Sequence, residues 1–231
     1  ILGTWSGTAR FVMLGRNLGD TLVKGTYEKS FNLWKDTLAF RVQGWYQDQS
    51  ADIFEERLVL NRMKWENNFK KEHRVVLNAE AEVPDYKFKG GANYTLLSNY
   101  LYTNNEAMPD QYTNEFSLLS AWVQKKSLFG HFGWDNKVVW QALSDTRALQ
   151  LPTWSVYSNI FFHHTLFKVM KLQIGGELFY HSEFFAPKYE AVSSQFYVQN
   201  ETKTGGYPLL NGYANLKLKR TSAFVKVYHP A

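Results

Sequence analysis

Residues Phe69–Val83 read FKKEHRVVLNAEAEV, and the two alternating sets of positions differ in character. One set is Phe69, Lys71, His73, Val75, Leu77, Ala79, Ala81 and Val83; the other is Lys70, Glu72, Arg74, Val76, Asn78, Glu80 and Glu82. A period of two with one apolar and one charged side is the signature of a β-strand that separates two environments. The pattern persists far beyond the roughly five or six residues of an ordinary globular strand.

The same long alternation recurs in both directions from this stretch. Ser127–Gln141 and Thr165–His181 repeat it most clearly, with Leu166, Met170, Leu172, Ile174, Gly176, Leu178 and Tyr180 on one side of the latter. Further strands are predicted over Leu2–Leu14, Thr21–Trp34, Thr37–Gln47, Thr113–Gln124, Thr153–Phe162, Pro208–Leu218 and Ser222–His229. Phe54–Glu66 alternates poorly, and 86–105 reads as two shorter strands around Leu97-Ser98. Tight turns are expected at Lys35-Asp36, Asn67-Asn68, Leu97-Ser98, Lys125-Lys126, His163-His164 and Lys219-Arg220. Longer loops are expected at 15–20, 48–53, 84–85, 106–112, 142–152 and 182–207. Short and long connections thus alternate along about twelve antiparallel strands, as in an up-and-down transmembrane β-barrel with short turns at one end and long loops at the other. The fold expected is therefore all-β, with 1–231 a single barrel domain, complete here or part of a larger barrel.

Composition agrees with that class. No run of about eighteen apolar residues exists, which rules out a transmembrane helix, but barrel strands hide their hydrophobicity in alternate positions. Mean hydropathy is −0.39. Aromatic residues make up 17% of the chain, and its 14 Tyr and 8 Trp suit a membrane interface. With no cysteine, disulfides and thiolate metal sites are excluded. The net charge of +5 is spread along strands rather than gathered in a block, so no nucleic-acid partner is expected. Ile1 is not an initiator Met and no closing aromatic ends the chain, so truncation at both ends is expected.

Alternation alone does not say which face is inside. A lipocalin-like soluble barrel would turn the apolar face inward around a ligand. Strand length and loop asymmetry favour the membrane version, in which the polar face lines a lumen. The expected wall residues are Arg41, Lys70, Glu72, Arg74, Glu80, Glu82, Asp135, Lys137, Lys171 and Glu177, joined by Arg10, Lys24, Glu28, Lys217 and Lys226. Basic residues outnumber acidic ones in this set, which predicts a weak anion preference. Trp5, Tyr46, Trp134, Trp140, Trp154 and Tyr180 fall on the apolar register and are expected at the lipid interface. Lys168, near the 163–164 turn, is expected to reach the headgroups. The six histidines form no H-x-H or H-E-x-x-H set and no G-x-S-x-G occurs, so neither catalysis, a metal nor a cofactor is expected.

Phe184-Phe185-Ala186-Pro187-Lys188-Tyr189, Gln195–Glu201 (QFYVQNE), Gly206-Tyr207-Pro208, Asn215–Arg220 (NLKLKR) and Ala223–His229 (AFVKVYH) resemble the porin family of Bacteroidetes outer membranes. The resemblance implies an exported β-barrel in the outer membrane of a Gram-negative bacterium. Together with the strand pattern, the expected function is a passive pore, with lipopolysaccharide and phospholipid and small polar solutes as partners, or, in the alternative reading of a non-conducting docking subunit, other envelope proteins.

Overall fold

The computed structural model describes residues 3–33, 36–60 and 63–229. The chain is antiparallel β almost throughout. In chain order the strands are β1 (Thr4–Phe11), β2 (Thr21–Leu33), β3 (Asp36–Gln49), β4 (Arg57–Val59), β5 (Lys64–Glu66), β6 (Glu72–Val83), β7 (Phe88–Ser98), β8 (Tyr100–Thr103) and β9 (Pro109–Tyr112). They continue with β10 (Phe116–Phe129), β11 (Phe132–Leu143), β12 (Trp154–Leu166), β13 (Met170–His181), β14 (Lys188–Glu190), β15 (Gln195–Tyr197), β16 (Leu209–Leu218) and β17 (Thr221–Tyr228). One helical turn, α1 (Ile53–Glu56), precedes β4.

Eleven strands form one meandering sheet in the order β1-β2-β3-β6-β7-β10-β11-β12-β13-β16-β17. The remaining six make three small hairpins, β4–β5, β8–β9 and β14–β15, all within loops. The expectation of about twelve strands becomes eleven because only the first of the two strands expected over 86–105 joins the sheet, as β7, while the second, β8, pairs with β9 in a loop hairpin. The poorly alternating Phe54–Glu66 folds as the β4–β5 hairpin preceded by α1. Its N-terminus carries a capping box: Asp52 accepts from the Phe54 N–H, and the Glu55 carboxylate accepts from the Asp52 N–H. The D-x-x-E signal was present in the sequence. Closure is not seen: β1 and β17 stand at the two ends of the order and do not pair.

Connections alternate in length as expected, but several turns lie elsewhere. Among the described residues the short ones are at 84–87, 130–131, 167–169 and 219–220, and the long ones at 12–20, 50–71, 99–115, 144–153 and 182–208. The Lys219-Arg220 turn is where it was expected, whereas the Lys35 half of the Lys35-Asp36 turn lies outside the described residues. Lys125-Lys126 is not a turn: both lysines stay in β10 opposite Asn136 and Asp135, and the reversal occurs at Gly130-His131, where Gly130 adopts φ 59°. His163-His164 likewise remain in β12, paired with Gln173 and Leu172. The chain reverses in the three-residue connection 167–169, where Phe167 and Lys168 are both left-handed at φ 52° and 61°, the central conformations of a primed turn without the usual Asn-Gly. Asn67-Asn68 merely leads from β5 toward β6. Pro84 opens a short turn rather than a long loop and is closed by left-handed Lys87, while left-handed Asn99, not Leu97-Ser98, separates β7 from β8.

The register decides which side chains share a face. From β1 to β17, the positions aligned with Glu28, Arg41 and Glu80 form a polar face, and their neighbours form an apolar one. Among the described residues, every buried one in the large sheet is on the polar face: Thr26, Glu72, Val76, Leu97, Phe116, Gly133, Phe161, Asn211 and Tyr213. The apolar face is the open one, with Val123 46% and Ile160 58% exposed and Leu77, Leu119, Trp134, Ile174 and Val225 similarly bare.

On the polar face, bulky rings lie over glycines on the adjacent strand. Phe161 covers its partner Gly133, Tyr213 covers Gly175 and Trp122 covers Gly91. A Cβ added at Gly133 would stand 2.2 Å from Phe161 Cζ, whereas one at Gly212 would meet nothing within 4 Å. Gly133→Val is therefore expected to destabilise the fold by about 1–3 kcal/mol through overpacking, and Gly212→Ala to change little. Thermal unfolding followed on heat-modifiability gels checks both.

Candidate functional site

Because the register is continuous, the polar face can be built row by row. One row crosses seven strands as Ser6, Thr26, Gln43, Asn78, Asn93, Ser120 and Gln141. All are uncharged hydroxyls or amides, and at the usual strand spacing the row spans about 29 Å. It offers both donors and acceptors to a neutral polar solute. Trp45 and Trp122 stand on the rows to either side.

Charged groups flank this row, and most of the acids are tied to a base. Arg41 Nε donates to Glu28 Oε1 at 2.7 Å, Arg74 donates to Glu72 at 2.6 Å, Lys89 meets Glu82 at 2.9 Å and Lys226 meets Glu177 at 2.5 Å. Glu80 accepts from the Asn78 amide, and Asp135 from the Gln124 amide. Several bases have no carboxylate within ion-pair reach among the described residues. Lys24 lies 5.8 Å from the Trp45 ring and Lys137 5.2 Å from the Trp122 ring, both within cation–π range. Lys171 is directly opposite Lys217. The surplus on this face is therefore positive.

Nine of the ten expected wall residues lie on one face of one sheet: Arg41, Glu72, Arg74, Glu80, Glu82, Asp135, Lys137, Lys171 and Glu177. Lys70 does not, because β6 begins only at Glu72. Its backbone is instead clamped by the Gln111 side chain, which accepts from the Lys70 N–H and donates to its carbonyl. Glu72 also ties a loop to the sheet. It is buried and accepts from the Leu101 N–H, which anchors the β8–β9 loop to the sheet. Trp45 shares this face with Arg41 and Gln43, as the alternation of its strand predicts; Lys89, Lys126 and Trp122 also belong to it and are not evident from the sequence. The turn misplaced at 125–126 hid the phase of β10, and the misread segment 86–105 hid that of β7.

The six expected interface aromatics all lie on the apolar face. Trp140 and Trp154 are direct partners near the long-loop end, and Tyr180 and Tyr46 are near the same end of β13 and β3. Trp134 is toward the short-turn end, with its Nε1 donating to Ser158 Oγ, and Trp5 packs on Tyr27 halfway along β2. Lys168 is exposed in the β12–β13 turn itself, closer to that end of the sheet than expected.

The long loops pack on one another. Val198 N–H donates to the Thr103 carbonyl, and Thr103 Oγ1 donates to Gln195, so loop 182–208 rests on the β8–β9 hairpin. Between them is a cavity of about 240 Å³ bounded by Tyr102, Leu149, Phe196 and Tyr197. Loop 144–153 joins the same assembly, since Tyr112 OH donates to Asp145 at 2.7 Å. The Arg147 guanidinium and Tyr112 hydroxyl hold the Asp145 carboxyl well below the usual carboxylate range. At the other side of the sheet, Asp20 clips loop 12–20 to both ends of loop 50–71 by accepting from Ser50 and Lys71. Burial pushes its carboxyl up, but those hydrogen bonds outweigh burial and leave it below the usual value. A lowered folded-state value means stability that is full above the unfolded carboxylate value of about 3.9 and is lost as pH falls through the folded value. The loop assembly is thus expected to survive at pH 4.5 and to loosen only in stronger acid, whereas Asp20→Asn loosens it already at neutral pH and differs little from wild type once Asp20 is protonated. Limited proteolysis of the loops across that range reads this out.

Among the described residues no helix is long and apolar enough to cross a membrane, which leaves strands unaddressed. No curated protein and no solved structure matches the chain. A family model does match, described as "Putative porin" and covering residues 3–231. The family accords with a non-enzymatic protein and with the all-β sheet. With nearly the whole chain aligned to that model, this protein belongs to the Putative porin family.

Proposed function

We propose that this chain forms the wall of an outer-membrane pore through which small polar solutes diffuse passively, with a weak preference for anions. The observation that carries the reading is the inverted pattern of burial. The polar face is the enclosed one and the apolar face is bare, the arrangement required when lipid is outside and water inside. The soluble, lipocalin-like alternative requires the reverse. A contiguous apolar surface of this extent is foreign to soluble monomers. Family membership supports the porin-like role.

In this reading the sheet curls with its polar face inward. An unpaired strand edge in hydrocarbon costs several kcal/mol per unsatisfied backbone group, so the membrane form has the β1 and β17 edges paired, directly or through further strands. The uncharged row of hydroxyls and amides contacts neutral solutes, and the surplus of Lys24, Lys137 and Lys171 biases ions. The outer girdle of Tyr46, Trp140, Trp154 and Tyr180 sits at one lipid interface, against lipopolysaccharide or phospholipid.

Single-channel recording of the detergent-purified protein in a planar bilayer tests this. Stable conductance steps are expected, with a reversal potential in a salt gradient that is mildly anionic. The double variant Lys24→Glu, Lys137→Glu should move that potential toward cations, because each change replaces a positive wall charge by a negative one. The Lys70→Glu, Arg74→Glu pair should move it less, since Lys70 is off the sheet and Arg74 is already neutralised by Glu72. An unchanged potential in Lys24→Glu, Lys137→Glu would remove these residues from the wall. A second reading, a non-conducting barrel that docks envelope proteins, is favoured by the loops packed on one another at the long-loop end. Membrane insertion without conductance steps would select it.

A further inference from the structure

The short-turn end of β12, β13, β16 and β17 carries charge of one sign. Residues 146–176 contain no Asp or Glu, and none follows Glu201. Within this region Lys171 and Lys217 are direct cross-strand partners on the polar face. Like charges placed opposite one another destabilise a sheet. Neither lysine has an ion-pair or hydrogen-bond partner among the described residues. The nearest carboxylate along β13 is Glu177, about 20 Å away by strand rise and already paired with Lys226.

The surroundings are those of an anion site. Thr165 is the partner of Lys171 on one side, and Ser222 is the partner of Lys217 on the other, so two hydroxyls flank the two ammonium groups in one row. Gln173 and His163 occupy the next row, and the buried His163 Nδ1 has no hydrogen-bond partner. These residues line a single concave site of about 560 Å³ with no acidic residue in its wall.

We propose that the Lys171–Lys217 pair is a binding site for a tetrahedral oxyanion of the phosphate class, seated between the two ammonium groups and touched by the flanking hydroxyls. A dianion there converts the repulsion into charge-assisted hydrogen bonds. The source is either free inorganic phosphate or the phosphate of a lipid headgroup at that end of the sheet. The site does not depend on whether the chain conducts.

The experiment is calorimetric titration of the full chain in neutral detergent with sodium phosphate, against sodium chloride at matched ionic strength. Thermal unfolding is followed in parallel, with and without phosphatidylglycerol in the micelles. Saturable phosphate binding is expected, weakened by roughly ten-fold or more in Lys171→Gln and Lys217→Gln, the change expected when a charge-assisted bond is lost. Lys171→Arg should retain it, as should Lys203→Gln in a distant loop. Without phosphate, the Gln variants should unfold at or above the wild-type temperature because their repulsion is gone, which also shows that they fold. With phosphate the order should reverse. Protection by phosphatidylglycerol alone, lost in the Gln variants, would support the site and identify its source as lipid. If phosphate does no more than chloride and phosphatidylglycerol gives no protection, or if the Gln variants respond as wild type does, the proposal is overturned.

Discussion

Val123→Arg is expected to destabilise the protein in a lipid bilayer by about 2–4 kcal/mol, the cost of a cation on the lipid face near mid-strand. Val123 is central in β10, between Val138 on β11 and Gly90 on β7, with its side chain 46% exposed on the apolar face. Nothing in the protein itself opposes an arginine there. If that face met water, the same change would fall within about 0.5 kcal/mol, as most surface substitutions do. The neighbouring Gln124 is on the polar face beside Asp135, so Gln124→Arg should be tolerated in either case. Denaturant unfolding in lipid vesicles distinguishes the two outcomes. A tolerated Val123→Arg would refute the lipid-facing assignment of the whole apolar register, since all eleven strands share one phase.

The second large effect is expected at the long-loop end. Replacing the β14–β15 hairpin, Lys188 to Tyr197, by a short Gly/Ser linker should raise single-channel conductance several-fold. That hairpin bears on β8–β9 through the Val198–Thr103 and Thr103–Gln195 hydrogen bonds, and it walls the cavity beside Tyr102 and Leu149. The sheet should survive the exchange, because no large-sheet strand pairs with β14 or β15. The preserved fold is checked by heat-modifiability on gels. Unchanged conductance in a folded variant would mean that the loops lie beside the permeation path and not across it. Appearance of conductance only after the exchange would mean that the intact loops plug the lumen, which is the docking reading in molecular form.

Alternation of side chains determined much of this protein from sequence alone. Strands β6, β11 and β13 were legible with their faces, and nine of the ten expected wall residues share one face, because a period of two leaves a residue only two sides to choose from. The alternation of short and long connections was legible for the same reason, since long strands joined antiparallel leave only the turns to vary. The positions of most turns were not, Lys219-Arg220 being the exception. Lys125-Lys126 and His163-His164 look like hydrophilic breaks, yet both continue their strands because each cross-strand partner holds its register. The chain reverses instead at Gly130-His131 and at Phe167-Lys168, the latter with no local turn signal at all. Cross-strand pairing over a dozen residues outweighs the preference of two. What only the tertiary structure decided was which charges meet. Glu177 with Lys226, Lys171 against Lys217 and Glu72 beneath the β8–β9 loop are distant in sequence, and register alone brings them together. The choice of enclosed face belongs there as well: alternation creates two faces but ranks neither, and the burial of rings such as Phe161 and Tyr213 over glycines is what makes the polar one the more buried.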